Sequence, residues 1–199
     1  MCGIVGVFGE NKNSDFRKSL YLMTDSLTHR GPDDSGTWIK EDNKLGFGHR
    51  RLSILDLSKS GHQPMQSKCG RFIMVFNGEI YNHLKLRKEV ESQKVGSEFS
   101  KEFLSGGSDT ETLFGCFSAF GIQKSLKKVV GMFAIAIWDK HEERLYLARD
   151  RMGEKPLYYG WSNKNFIFAS ELKAFKEYKL FNNEIDRDSI NIYMRHNYI

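Results

Sequence analysis

The sequence predicts an α+β fold in which sheets are layered against helices, and three observations carry that prediction. Short strand-like segments joined by turns recur from residues 4–8 to 166–169. Helical spacing of apolar residues (Phe16, Leu20, Met23, Leu27) appears early, and again between residues 108 and 121. The run from Gly131 to Asp139 is almost continuously apolar, so it is buried on both faces and something must cover each side of its sheet.

In chain order, Ser14 is a plausible N-cap for a helix through Leu27, and residues 28–36 are dense in turn formers. Strands are expected at 37–40, 45–49 and 72–76, the last ending in Asn77-Gly78, a dipeptide that can supply a tight turn. Residues 81–90 have helical spacing, with Leu84, Leu86 and Val90 partly inward, whereas 91–104 is polar and aperiodic, as in a surface excursion. Ser108 with Glu111 three residues on fits a capping box, and Gly121 can end the helix it opens. Strands at 131–139, 144–149, 157–161 and 166–169 complete a strand-rich second half. No internal repeat or low-complexity linker is visible, so residues 1–182 are expected to form one domain. A capped helical pattern at 184–194 is left without a core, and 183–199 are therefore expected to begin a second domain of a longer protein.

Composition excludes several classes. The longest apolar run, residues 132–138, is far below the ~20 residues of a membrane span, and Asn11, Lys12 and Asn13 interrupt the N-terminal apolar stretch before it reaches signal-peptide length. Three cysteines (Cys2, Cys69, Cys116) cannot all pair within one chain, which suits a reducing cytoplasm. The six histidines form no metal-ligand spacing with cysteines or acids, so no metal is assigned. A net charge of +5 comes from basic residues interspersed with acidic ones; nucleic acid is not the expected partner, nor is a membrane.

The chemistry centres on Cys2. A small second residue permits removal of Met1, after which one residue carries both a thiol and a free α-amine. Free α-amines titrate at about 7.7–8.0 and thiols at about 8.5, so the amine can accept the thiol proton near neutrality and no histidine is required. Hydrolysis of an amide by such a nucleophile needs donors for an oxyanion. Asn77-Gly78 offers a side-chain amide and an unencumbered backbone N–H, or else a plain turn. An amino-acid substrate also needs a guanidinium for its carboxylate, for which Arg51 is suited, with Arg50 beside it competing for the role. Glu79 or Asp109 can hold the ammonium, though Asp109 at a helix start is equally explained by the helix dipole.

Seven segments then fall into register with a known family. Cys2-Gly3-Ile4-Val5-Gly6, His29-Arg30-Gly31-Pro32-Asp33, His49-Arg50-Arg51-Leu52-Ser53-Ile54, Asn77-Gly78-Glu79-Ile80-Tyr81-Asn82, Gly107-Ser108-Asp109, Gly131-Met132-Phe133-Ala134 and the stretch from Arg149 to Tyr159 resemble, in order, the glutaminase domain of glutamine-hydrolysing asparagine synthetase. That domain is a class II glutamine amidotransferase, one of the N-terminal-nucleophile hydrolases. The resemblance implies a four-layer αββα sandwich of two mainly antiparallel sheets. It implies Cys2 as nucleophile and Asn77 and Gly78 as the oxyanion hole. L-glutamine would be held by Arg51, by the backbone of Leu52, Ser53, Ile54 and Leu55, and by Glu79 and Asp109. No cofactor is implied for this domain; ATP and Mg are implied for a C-terminal synthetase domain that receives the ammonia, and the resemblance allows a homodimer of the full-length protein. Two readings compete with it: amidation of another acceptor such as a sugar carboxylate, and a non-catalytic docking module if Met1 is retained. The run Ser105-Gly106-Gly107-Ser108-Asp109-Thr110 is similar to a phosphate loop, but the charged residues before it are not strand-like, and ATP is not expected there.

Overall fold

The computed structural model describes residues 1–9, 15–53, 61–92 and 107–198. Two antiparallel sheets organise them. The first has the order β2-β3-β1-β9-β8, from β1 (Gly3–Phe8), β2 (Asp34–Ile39), β3 (Leu45–Arg51), β8 (Tyr158–Ser162) and β9 (Asn165–Ala169). The second has the order β4-β5-β6-β7, from β4 (Met65–Gln66), β5 (Phe72–Ile80), β6 (Gly131–Asp139) and β7 (Arg144–Arg149). The described helices are α1 (Asp15–Asp25), α2 (His83–Ser92), α3 (Asp109–Phe120), α4 (Ile122–Lys128), α5 (Lys173–Lys176) and α6 (Arg187–His196).

Alternation along each strand sorts side chains into three cores. Val5, Val7, Ile167 and Ala169 face α1 and α5, meeting Phe16, Leu20, Met23 and Phe175. Phe72, Met74, Phe76, Phe133, Ile135 and Ile137 face α2 and α3, meeting Leu86, Val90, Leu113 and Phe117. The intervening positions Ile4, Leu45, Phe47, Ile73, Val75, Ala134, Ala136 and Phe168 fill the space between the sheets. The result is the four-layer αββα arrangement. β6, buried from Phe133 to Asp139, lies between two of these cores, which is why it carries no polar alternation.

Several boundaries differ from expectation. β5 continues through Ile80 because its pairing to β6 runs unbroken to Ile80↔Gly131, so Asn77-Gly78 lies inside a strand and makes no turn. β2 begins at Asp34, inside the segment expected to be loop, because its pairing with β3 runs on to Asp34↔Arg51. α2 runs two residues past Val90, and Leu84 is exposed because only the Leu86 and Val90 face meets the core. The short elements β4, α4 and α5 have too few residues to show a period. Ser108 caps α3 by accepting from Glu111 N–H at 3.2 Å, and Gly121 closes it at φ 78°. The expected cap Ser14, most of the 91–104 excursion and the first two residues of the glycine-rich run lie outside the described residues. No described helix is long and apolar enough to cross a membrane.

Candidate functional site

The space between the sheets is closed by apolar side chains along most of its length and ends in polar ones. On β3 the positions Leu45, Phe47, His49 and Arg51 share one face, and the first two are core residues of the inter-sheet layer. On β5, Ile73 and Val75 point into that layer, and Asn77 and Glu79 follow them on the same face. On β1, Ile4 points inward and Cys2 precedes it by two. Four of the residues named from the sequence (Cys2, Arg51, Asn77, Glu79) therefore project from three strands into one gap.

Pairing aligns their ends. Gly3 opposes Arg50 in the β1–β3 ladder, which sets Cys2 beside Arg51 and Leu52, and the Cys2 thiol lies 3.9 Å from the Leu52 carbonyl. His49 Nε2 donates across the gap to the Phe76 carbonyl at 3.3 Å, joining β3 to β5 one residue before Asn77. Burial lowers the His49 imidazole to about 4, so near pH 7 it is neutral, a weak base with its Nε2–H committed to the Phe76 carbonyl.

Arg50 and Arg51 are separated by the same alternation. The Arg50 guanidinium points to the α1 side, where it pairs with Asp25 and donates to the Thr24 carbonyl at 3.3 Å. Arg51 faces the gap, its guanidinium packed over Gly61: a Cβ there would lie 2.1 Å from Nη2. Ser53 is held by Asp33, whose carboxylate accepts its N–H at 2.7 Å. Ile54 and Leu55 lie outside the described residues.

β5 presents its donors to an open edge. Phe76 N–H goes to Gln63 Oε1 at 2.6 Å and Ile80 N–H to Asp109 Oδ2 at 3.0 Å, both on the side away from β6. Successive strand N–H groups alternate in direction, so the N–H of Gly78, midway between these two, points to the same edge, beyond the reach of β4. The Asn77 amide beside it is 2 % exposed, and its Nδ2 has no partner among the described residues. A buried donor left unpaired is costly and marks a place where an acceptor fits. Gly78 admits no side chain, since a Cβ would come within 2.2 Å of the Met132 carbonyl oxygen. Asp109 sits at the end of this edge at the start of α3; Glu79 is exposed.

Two further devices hold the chain start. Arg30 Nε donates to the Cys2 carbonyl at 3.0 Å while Nη1 pairs with Glu171 Oε1 at 3.0 Å. Burial alone would raise the Glu171 carboxyl, but hydrogen bonds from His29 and Arg30 and the charges of His29 and Lys173 bring it down to about 2. Asp150, buried on the β7–β8 connection, accepts backbone N–H groups from Phe133, Glu154 and Lys155 at 3.2, 2.8 and 2.9 Å. Sequence reasoning assigned no role to Arg30, Glu171 or Asp150. The first and third stand within the segments that carry the resemblance, whereas Glu171 has no local signal, since it meets Arg30 only through the β1–β9 pairing. The other thiols are elsewhere: Cys116 is buried among helix residues, where burial pushes it up to about 12, and Cys69 is exposed.

A sheet sandwich between helices with a cysteine at the mouth of the inter-sheet gap is the architecture of the N-terminal-nucleophile amidotransferases. The glutamine phosphoribosylpyrophosphate amidotransferase of Bacillus subtilis shares it at a TM-score of 0.71 over 88% of this chain and 43% of that one, with 23% identity. The chain belongs to the family described as the glutamine amidotransferase domain, which matches residues 1–199. Asparagine synthetase [glutamine-hydrolyzing] 1 of B. subtilis is 38% identical over all of this chain and 30% of its own length. The putative asparagine synthetase [glutamine-hydrolyzing] 2 of Methanocaldococcus jannaschii is 36% identical over 97% of this chain and 39% of its own. The chain thus spans about a third of the length of these curated relatives.

Proposed function

We propose that this domain hydrolyses L-glutamine to glutamate and ammonia through Cys2 once Met1 is removed. The freed α-amine, directly or through a water, takes the thiol proton, and the thiolate attacks the glutamine side-chain carbonyl. The carbonyl oxygen, becoming an oxyanion, accepts from Asn77 Nδ2 and Gly78 N–H. Ammonia leaves with the proton returned from the amine, and water cleaves the γ-glutamyl thioester to release glutamate. Arg51 grips the substrate carboxylate, the backbone of residues 52–55 lies along it, and Glu79 and Asp109 attract its ammonium. The observation that carries this reading is the buried Asn77 Nδ2, without a partner among the described residues, beside a Gly78 N–H directed to an open strand edge, at the end of the gap where Cys2 begins.

The ammonia is used by an ATP- and Mg-dependent synthetase domain of the asparagine type that follows residue 182. The coverage of the relatives supports this, as does α6, which buries none of its residues and leaves Tyr193 and Met194 exposed although the family match extends through it.

Glutamate release by protein whose intact mass shows loss of Met1 tests the reaction. Cys2→Ala should abolish it, and Asn77→Ala should lower turnover by about 10²–10³ with the fold intact by circular dichroism. Equal rates for Cys2→Ala and wild type would end the proposal. Retention of Met1 in the cell would favour the docking reading.

A further inference from the structure

Lys155 is a buried basic group that the proposed chemistry does not use. It is 7 % exposed, and the partner its Nζ meets is the thioether of Met1, at 3.6 Å. A thioether is a weak acceptor, and here it belongs to the residue that processing removes. The backbone of Lys155 is fixed: its N–H goes to Asp150 at 2.9 Å and its carbonyl accepts from Arg149 Nε at 2.6 Å. The side chain is thereby aimed at the chain start by a rigid loop.

We infer that, resting on the glutaminase reading, Lys155 is a positioning residue that keeps the α-amine of processed Cys2 in its neutral, proton-accepting form. Loss of Met1 removes the thioether that Nζ meets and creates the new terminus at the adjoining residue, and a buried amine then requires another partner. The lone pair of an uncharged α-amine supplies one, whereas a protonated α-ammonium would repel it. The proton that moves passes from the Cys2 thiol to the Cys2 amine and on to the departing ammonia. Several other charged groups stand near this terminus among the described residues. Arg30 from the turn before β2 is neutralised by Glu171, and Asp150 is engaged by three backbone N–H groups. Arg51 from β3, Glu79 from β5 and Asp109 from α3 are assigned to the substrate.

The test compares processed wild type with Lys155→Met, which is uncharged and of similar length, and Lys155→Arg, which keeps the charge. Lys155→Gln serves as a second neutral variant should Met fail to fold. In glutamate release against pH, the neutral variant should show the acid limb of kcat/KM moved up by about one pH unit, and Lys155→Arg should restore it. Titration of the Cys2 α-carbon by NMR in selectively labelled resting protein should show the same displacement without turnover. Superimposable titrations and acid limbs for wild type and the neutral variant would overturn the inference, whatever the loss of rate. A wild type that releases no glutamate, or releases it equally with Cys2→Ala, would instead overturn the glutaminase reading, leaving the NMR titration to decide the role of Lys155.

Discussion

Glu171→Gln separates the electrostatic support of the chain start from its packing. In the fold the Glu171 carboxyl lies at about 2 instead of the usual 4.5, because the donors His29 and Arg30 and the charge of Lys173 outweigh its burial. At ~1.4 kcal/mol per unit, that difference has a ceiling of about 3 kcal/mol. Solvent screening reduces it: Glu171 is 27% exposed, His29 49% and Lys173 46%, and only Arg30, at 9%, is well buried. About 1–2 kcal/mol is the expected loss on neutralising Glu171 near pH 7. Because the folded group is the stronger acid, its contribution is complete above about 4.5 and disappears as pH falls toward 2; less than half remains at pH 3. Urea unfolding followed by the fluorescence of Trp38, Trp138 and Trp161 measures wild type against variant at pH 7, 4 and 3. A difference near zero at pH 7, or one that stays constant down to pH 3, would refute the assignment.

His49→Gln addresses a separate window. Burial holds His49 neutral in the fold, so stability is complete above about 6.5 and falls between 6.5 and 4 by up to ~3 kcal/mol as the unfolded chain takes up the proton; the variant should flatten that slope in urea titrations at pH 7 and 4.5. Gly61→Ala puts a methyl against the Arg51 guanidinium, the mobile end of a side chain, so the guanidinium shifts at little cost to the fold. KM for glutamine should rise about tenfold, the worth of one charge-assisted hydrogen bond, with kcat within a few-fold and the thermal midpoint unchanged; a lower midpoint with unaltered KM would place Arg51 away from the substrate.

Most of the fold was legible because periodicity reports burial. The strand at 131–139 and the capped helix at 108–121 lie where apolar run and cap place them. The same periodicity reaches the site: Leu45, Phe47, His49 and Arg51 form one alternating series, which assigns Arg51 and not Arg50 to the inter-sheet face. Asn77-Gly78 does not follow its local preference, since the turn tendency of that dipeptide is overridden by nine consecutive pairs with β6, a long-range effect that no window around residue 77 contains. Arg30, Glu171 and Lys155 escaped for a related reason. Each acts on the chain start from another segment, 28 or more residues away, and only the folded topology brings them there.

Chain termini ordinarily fray, and a terminal amine that frays cannot serve as a positioned base. Here the terminus enters the central strand of a five-stranded sheet, with β3 on one side and β9 on the other. Ile4 N–H donates to the buried Ser170 hydroxyl at 3.0 Å, Ser170 N–H returns to the Ile4 carbonyl at 2.8 Å, Gly3 pairs with Arg50, and Arg30 grips the Cys2 carbonyl. Each of these bonds lies within two residues of Cys2, so the thiol and its neighbouring nitrogen inherit the rigidity of the sheet. An interior strand, paired on both sides, supports a chain start that an edge strand would leave half-paired. The donors that would receive the substrate oxygen come from the facing sheet, across a gap whose width is set by Phe47, Val75 and Phe168 behind them. On the proposed reading, packing in the inter-sheet core thus sets the distance between the Cys2 thiol and the Asn77-Gly78 donors, so substitutions deep in that core should lower turnover as well as stability.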